Sequence, residues 1–187
     1  MRTLPHVVIL SPADCTATVK ATLAAAKIDA PVYLRLTGGM NNPIVYKEDF
    51  NFEVGKAIEL REGSDVAIIA TGSMVHYALK AAEQLEAAGV SASVLDMHTI
   101  KPLDTAAVEA TCCKKLLVTV EEHSAIGGLG SAVAETLALK TKRPPHLIIG
   151  AEDSYPHAGD YASLLDICGL TPEKISEKII ETYKELF

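Results

Sequence analysis

The stretch Lys115 to Leu139, "KLLVTVEEHSAIGGLGSAVAETLAL", decides how the rest of the chain is read. Its first seven residues (115–121) form an apolar, partly β-branched run too short for a buried helix, which reads as a buried strand. A glycine-rich turn follows, and "GSAVAETLAL" resumes with helical spacing of apolar residues. The same alternation extends in both directions. Upstream, "DVAIIATG" (65–72) is a strand, Ser73 is placed to cap a helix, and Val75, Leu79, Ala82 and Leu85 share one face of that helix. "SASVLDM" (91–97) is the next strand. "TIKPLD" turns the chain, and Asp104 is available as N-cap for "TAAVEATCCK". Downstream, "HLIIGAE" (146–152) is a further strand, Asp160 opens "YASLLDIC", and Gly169 closes it. Thr171 with Pro172 opens a terminal helix whose Ile175, Ile179, Ile180, Tyr183 and Leu186 form one apolar stripe.

Strict alternation of strand and helix predicts right-handed parallel crossovers with helices on both faces of the sheet. "KAIEL" and "DVAII", separated by the turn-rich "REGS", suggest a hairpin that adds an antiparallel edge strand. The expected fold is therefore α/β: a three-layer α/β/α domain over residues 55–187, built on a mostly parallel five-stranded sheet with one antiparallel edge strand. A partial β-α-β unit precedes it. In residues 1–37, "VVILS" and "PVYLRL" are strands flanking the helix "CTATVKATLAAAK". Ser11-Pro12-Ala13-Asp14 offers a capping box with proline at the first helical position. One such unit cannot bury both faces of its sheet, so the chain is expected to begin inside a domain whose other strands lie elsewhere. Residues 38–54, rich in Gly, Asn and acidic side chains, read as a linker.

The composition narrows the function. A net charge of −7, with lysines dispersed along the chain, offers no basic face for nucleic acid. No apolar run reaches the roughly 20 residues needed to span a bilayer, and no secretory signal follows Met1, so no membrane partner and a cytoplasmic location are expected. Cys15, Cys112, Cys113 and Cys168 lack C-x-x-C spacing and read as reduced thiols. The six histidines are scattered, with no metal-ligand spacing, so no metal site is expected on this chain.

Three groups of residues could carry chemistry. Gly127, Gly128 and Gly130 place backbone amides at a helix N-terminus, a setting able to hold an anion. Their G-G-x-G spacing, with Val133 where a dinucleotide fingerprint needs a small residue, argues against a nucleotide. Arg35 lies near a strand end, where α/β folds present ligand contacts, and is equally suited to bridging two domains. His123 precedes the glycine turn and could reach a ligand or a partner subunit, or serve as a hydrogen-bonding structural histidine. Glu121 and Glu122 read as a solvated strand terminus, and Tyr155 and His157 as parts of a solvated loop.

Taken together, "SPAD", "APVYLRL", "GKAIELREGSDVAIIATGSMV", "LDMHTIKPLD" and "VTVEEHSAIGGLGSAVAE" resemble the C-terminal part of transketolase, in the form found as a separate C-terminal subunit. The resemblance runs from about Leu4 to the terminal helix. It implies a thiamine-diphosphate enzyme that transfers a two-carbon ketol unit between sugar or sugar-phosphate substrates. Residues 1–37 would be the last β-α-β unit of the pyrimidine-binding middle domain, and 55–187 the C-terminal domain. On this resemblance the cofactor's glutamate, its diphosphate and its divalent metal are handled upstream, so this chain carries no catalytic residue and binds no cofactor alone. Arg35 and His123 become substrate-channel candidates, and Gly127, Gly128 and Gly130 remain anion candidates. An N-terminal section is the implied partner, and a homodimer covering the exposed first unit is expected. Family members often carry a phosphate-gripping arginine where this chain has Gly38, which leaves the sugar substrate open. They also carry Met-Arg-x-x-Pro in the interior of the middle domain, so Met1 is read either as a cut or as a late start. Deoxyxylulose-phosphate synthase and 2-oxo-acid dehydrogenase β subunits share this architecture and are the alternatives within the enzyme class. A non-catalytic interaction or small-metabolite module is the alternative outside it.

Overall fold

The computed structural model describes residues 1–37 and 42–187. In chain order its elements are β1 (Val8–Leu10), α1 (Cys15–Ala25), β2 (Val32–Leu34), β3 (Ile58–Arg61), β4 (Val66–Ala70), α2 (Met74–Ala87) and β5 (Ala92–Asp96). There follow β6 (Thr99–Lys101), α3 (Thr105–Ala110), β7 (Leu116–Ser124), α4 (Leu129–Ala138), β8 (His146–Ala151), α5 (Tyr161–Ile167) and α6 (Pro172–Leu186). Five strands form one sheet in the order β3-β5-β4-β7-β8, parallel except at β3. The three-layer α/β/α architecture expected from the alternation is the one observed.

Alternation of side chains along the central strands builds the two faces. Val66, Ile68 and Ala70 of β4, with Val118 and Val120 of β7, turn toward Met74 and Leu85 of α2 and Ile175 and Ile179 of α6. Ala67, Ile69 and Leu117 turn the other way, toward Val108 of α3 and Leu129, Val133 and Leu137 of α4. Every residue of β4 is buried, as a parallel strand covered on both sides requires.

The edge strand is antiparallel as expected, but it is no hairpin. β3 pairs with β5, because both edges of β4 are already taken by β5 and β7. Gly63 lets the connection cross close over the start of β5: a Cβ there would lie 2.1 Å from the Ala92 carbonyl carbon. The "TIKPLD" segment also differs from its reading as a turn. Its first three residues are β6, which pairs antiparallel with β1, so the first unit forms a three-stranded sheet in the order β2-β1-β6. Ile9 of β1 and Ile100 of β6 then join the same apolar cluster as α3 and α4.

The helix starts follow the sequence at Asp104, Asp160 and Thr171, each of which accepts an amide hydrogen bond within the first turn of its helix. Two starts differ. The cap of α1 is Asp14 rather than Ser11: Asp14 is extended and accepts from Ala17 N at 2.7 Å. Ser11 instead continues the strand, its amide donating to the His98 carbonyl and its carbonyl accepting from Gly72 N. Ser73 makes no cap bond, because its hydroxyl is committed to Glu122.

Candidate functional site

The C-terminal ends of β1, β2, β4 and β7 meet around a cleft of about 130 Å³. Ile9, Ile100 and Leu129 give it apolar walls, and Ser11, Arg35 and His123 contribute polar lining. Sequence reading chose Arg35, His123, Gly127 and Gly128 separately, and the fold brings them to this one place. Gly130, the second residue of α4, faces Ile148 and Thr119.

Arg35 is set by the β1–β2 pairing, since its amide continues the ladder to the Leu10 carbonyl at 2.8 Å. Its guanidinium reaches across the cleft and donates to the Glu122 carbonyl at the end of β7. The residue therefore bridges the small sheet to the large one and also lines the cleft. His123 is exposed, with Nδ1 2.9 Å from the Ser124 carbonyl oxygen and 3.8 Å from Glu121 Oε2.

Glu121 is the residue that sequence reading missed. β7 runs on to Ser124, and Glu121 is only 2% exposed within it, so the "solvated strand terminus" is in fact an internal acid. Its carboxylate accepts from Leu129 N and Gly130 N, both at 2.8 Å, at the first turn of α4. The anion held by this helix start is thus the chain's own side chain, and of the amides proposed for an external anion Gly130 N is taken by it and Gly127 N by Ser131. The glycines make the insertion feasible. A Cβ on Gly128 would lie 1.9 Å from Glu121 Oε2, and one on Gly130 would lie 2.5 Å from Ile148. Gly127, at φ +81°, supplies the turn, its amide donating to Ser131 Oγ and its carbonyl accepting from Arg2. The signal was two adjacent acids upstream of G-G-x-G, readable only with a fold that points one acid inward.

Burial raises the pKa of Glu121, against the opposing pull of the Gly130 and Leu129 amides and of the His123 and Arg35 charges. Glu122, the next residue, faces the other side of the strand and accepts from Ser73 Oγ and, at 2.8 Å, from the Tyr161 hydroxyl. Burial, with Glu122 adding to it, raises the Tyr161 pKa, so this phenol stays a donor. The two acids therefore hold α4 on one face and α2 and α5 on the other.

The remaining sequence candidates are quickly placed. Tyr155 and His157 lie in an exposed loop. All four cysteines are free thiols, and no three His, Cys, Asp or Glu side chains group as a metal site among the described residues. No helix is long and apolar enough to cross a membrane among them. Gly38, with the missing arginine, lies outside the described residues.

A mostly parallel sheet flanked by α2 and α6 on one side and α3 and α4 on the other, preceded by a β-α-β unit joined through β6, defines the class of the protein. Residues 55–175 match the family model "Transketolase, C-terminal domain", and the chain belongs to that family. It is 42% identical over 98% of its length to a putative transketolase family protein of Sinorhizobium fredii, covering 54% of that protein. To a putative transketolase C-terminal section of Methanocaldococcus jannaschii it is 39% identical over 99% of its length, covering 58% of that protein. A solved structure described as a split gene transketolase, inactive β4 tetramer, superposes with a TM-score of 0.88 at 37% identity, covering 100% of this chain and 60% of that one. The chain thus spans a little over half the length of the curated relatives it matches.

Proposed function

We propose that the chain is the C-terminal portion of a transketolase-like enzyme that transfers a two-carbon ketol unit between sugar or sugar-phosphate substrates. The observation that carries this reading is the match over nearly the whole chain to relatives about twice as long, one of them described as a C-terminal section. In this reading residues 1–37 close the pyrimidine-binding domain, 38–54 connect, and 55–187 are the C-terminal domain. The open edge of β2 supports it. Among the described residues β2 pairs only with β1, leaving one edge of a three-residue strand for a strand from the N-terminal section.

Thiamine diphosphate and its divalent metal would supply the carbanion chemistry when bound to the complete enzyme. Among the described residues no three His, Cys, Asp or Glu side chains group to hold a metal ion. The N-terminal section is the proposed holder. This chain's share is the wall of the substrate channel, with Arg35 and His123 at its rim, and a contact between copies. Self-association of a similar chain, described as a β4 tetramer, supports that last element.

Reconstitution tests the proposal. Mixed with a partner that carries the N-terminal section and the missing part of the pyrimidine-binding domain, the chain is expected to give calorimetric binding of thiamine diphosphate with Mg²⁺ and ketol transfer to an aldose acceptor. Alone it should give neither. Cofactor binding by the isolated chain, or no transfer by the mixture with any ketose donor, overturns the assignment.

A further inference from the structure

The segment between the two sheets is held by an arrangement that a passive spacer does not need. Two helix-capping aspartates each cap with one carboxylate oxygen and grip the segment with the other. Asp14 Oδ1 accepts from Ala17 N, while its Oδ2 accepts from Val45 N at 2.7 Å and Tyr46 N at 2.8 Å. Asp104 Oδ1 accepts from Ala107 N, and its Oδ2 from Ala57 N at 3.0 Å. Between these anchors, the buried Tyr46 donates its hydroxyl to Asp96 Oδ2 at 2.7 Å. Phe52 stacks on the buried His98 with ring centroids 4.1 Å apart, and Gly55 N donates to Thr99 Oγ1.

Asp96, at the end of β5, is the unusual member. It is fully buried, and its second oxygen, Oδ1, has no partner among the described residues. The residues opposite it on the flanking strands, Ile58 of β3 and Ala70 of β4, carry no charge. The titratable groups acting on it are Tyr46 from the segment and Asp14 from the cap of α1, and neither supplies a positive charge. We propose that residues 42–57 form a proton-operated clasp: the segment closes over Asp96 while that carboxyl is protonated and loosens once it ionises.

The direction of the response follows from linkage. Burial first, then the Asp14 charge, push Asp96 up to about 7, against the lowering by the Tyr46 hydroxyl. With the clasp open the group returns toward its ordinary value near 4. Closure is therefore strongest below the open-state value, weakens as the pH rises between the two, and levels off above about 7. His98, pushed down to about 4 by burial, and Tyr46, whose pKa is raised by burial and by Asp96, stay neutral over most of this window. Asp96 is thus the switching group, and the part that moves ties α1 to the β5–β6 corner beside the cleft's sheet.

Hydrogen exchange on the intact chain, expressed as protection factors so that the intrinsic pH dependence cancels, tests the clasp. For the Val45 and Tyr46 amides the fall in protection between pH 5 and pH 7.5 should be at least about tenfold, out of the roughly hundredfold that two pH units of single-proton linkage allow. Protection should be flat above that range, with β4 amides unchanged throughout. Asp96→Asn, a neutral isostere, should hold protection constant across the window. A flat wild-type profile, or an equal fall in Asp96→Asn, overturns the proposal. An equal fall in β4 would also overturn it, because the loss would then be global. If Asp96→Asn does not fold, the wild-type contrast between segment and β4 still decides.

Discussion

At the scale of single residues, Glu121 and Gly128 form one unit. The carboxylate fills the space that a Gly128 side chain would occupy, and it satisfies two amides that a buried helix start would otherwise leave orphaned. Gly128→Ala is therefore expected to expel the carboxylate and lower stability by about 3 kcal/mol or more, from two acid–amide hydrogen bonds. Urea unfolding measures this, and a loss under about 1 kcal/mol would show that the acid is not needed there. Glu121→Gln keeps the shape but turns an N–H toward an amide, so it should cost less. Because the folded-state pKa of Glu121 is raised by burial, the protonation-linked part of its contribution is full below its unfolded value and is lost as pH rises through the folded one. The Gln variant should lack that part of the wild-type pH profile. Sequence alone located the glycines and the pair of acids, but direction along a strand end cannot be read without knowing where the strand stops. β7 runs three residues further than its apolar run, and those residues include Glu122 and His123.

At the scale of elements, capping was legible wherever the cap serves only its own helix, as at Asp160. It was legible also at Asp104, which serves the tertiary structure as well by holding Ala57 N, but it was misassigned at Asp14, which holds Val45 N and Tyr46 N. A capping box at Ser11 has the right spacing, yet Ser11 is held in the strand by His98 and Gly72, a pairing far away in the chain. The two kinds of cap should differ in energy. Asp160→Ala removes one exposed cap and should cost about 1 kcal/mol. Asp14→Ala frees three amides from a residue 4% exposed and should cost at least twice that in thermal or chemical unfolding. Equal losses would mean that the segment at Val45 and Tyr46 is held by its aromatic contacts alone. Strand partners were illegible for a related reason: periodicity marks a strand and its buried faces, not which neighbour's edge is free. β3 was read beside the strand next to it in sequence, and that position was already filled.

At the scale of the whole molecule, apolar clusters join residues on both sides of the segment read from sequence as a linker at 38–54. Ile9 of β1, 5% exposed, packs in one cluster with Ile69 of β4, Leu95 of β5 and Leu129 of α4, and β6 lends β1 a strand from beyond the segment. On the opposite face, Ala13 and Ala17 at the start of α1 share a cluster with residues of α2 and β7. A unit too small to bury its own sheet has thus merged its interior with that of the larger sheet, so the two should lose structure together. Ile9→Ala tests this merger. If the core is shared, the variant should show one transition, shifted by about 2–4 kcal/mol as for a truncated buried aliphatic side chain, with tyrosine signals from β2 and α6 moving in step. An early partial transition seen by Tyr33 while Tyr183 remains ordered would instead show that residues 1–37 unfold on their own. In that case the β1–β6 pairing would be a contact between two independent units rather than the seam of one.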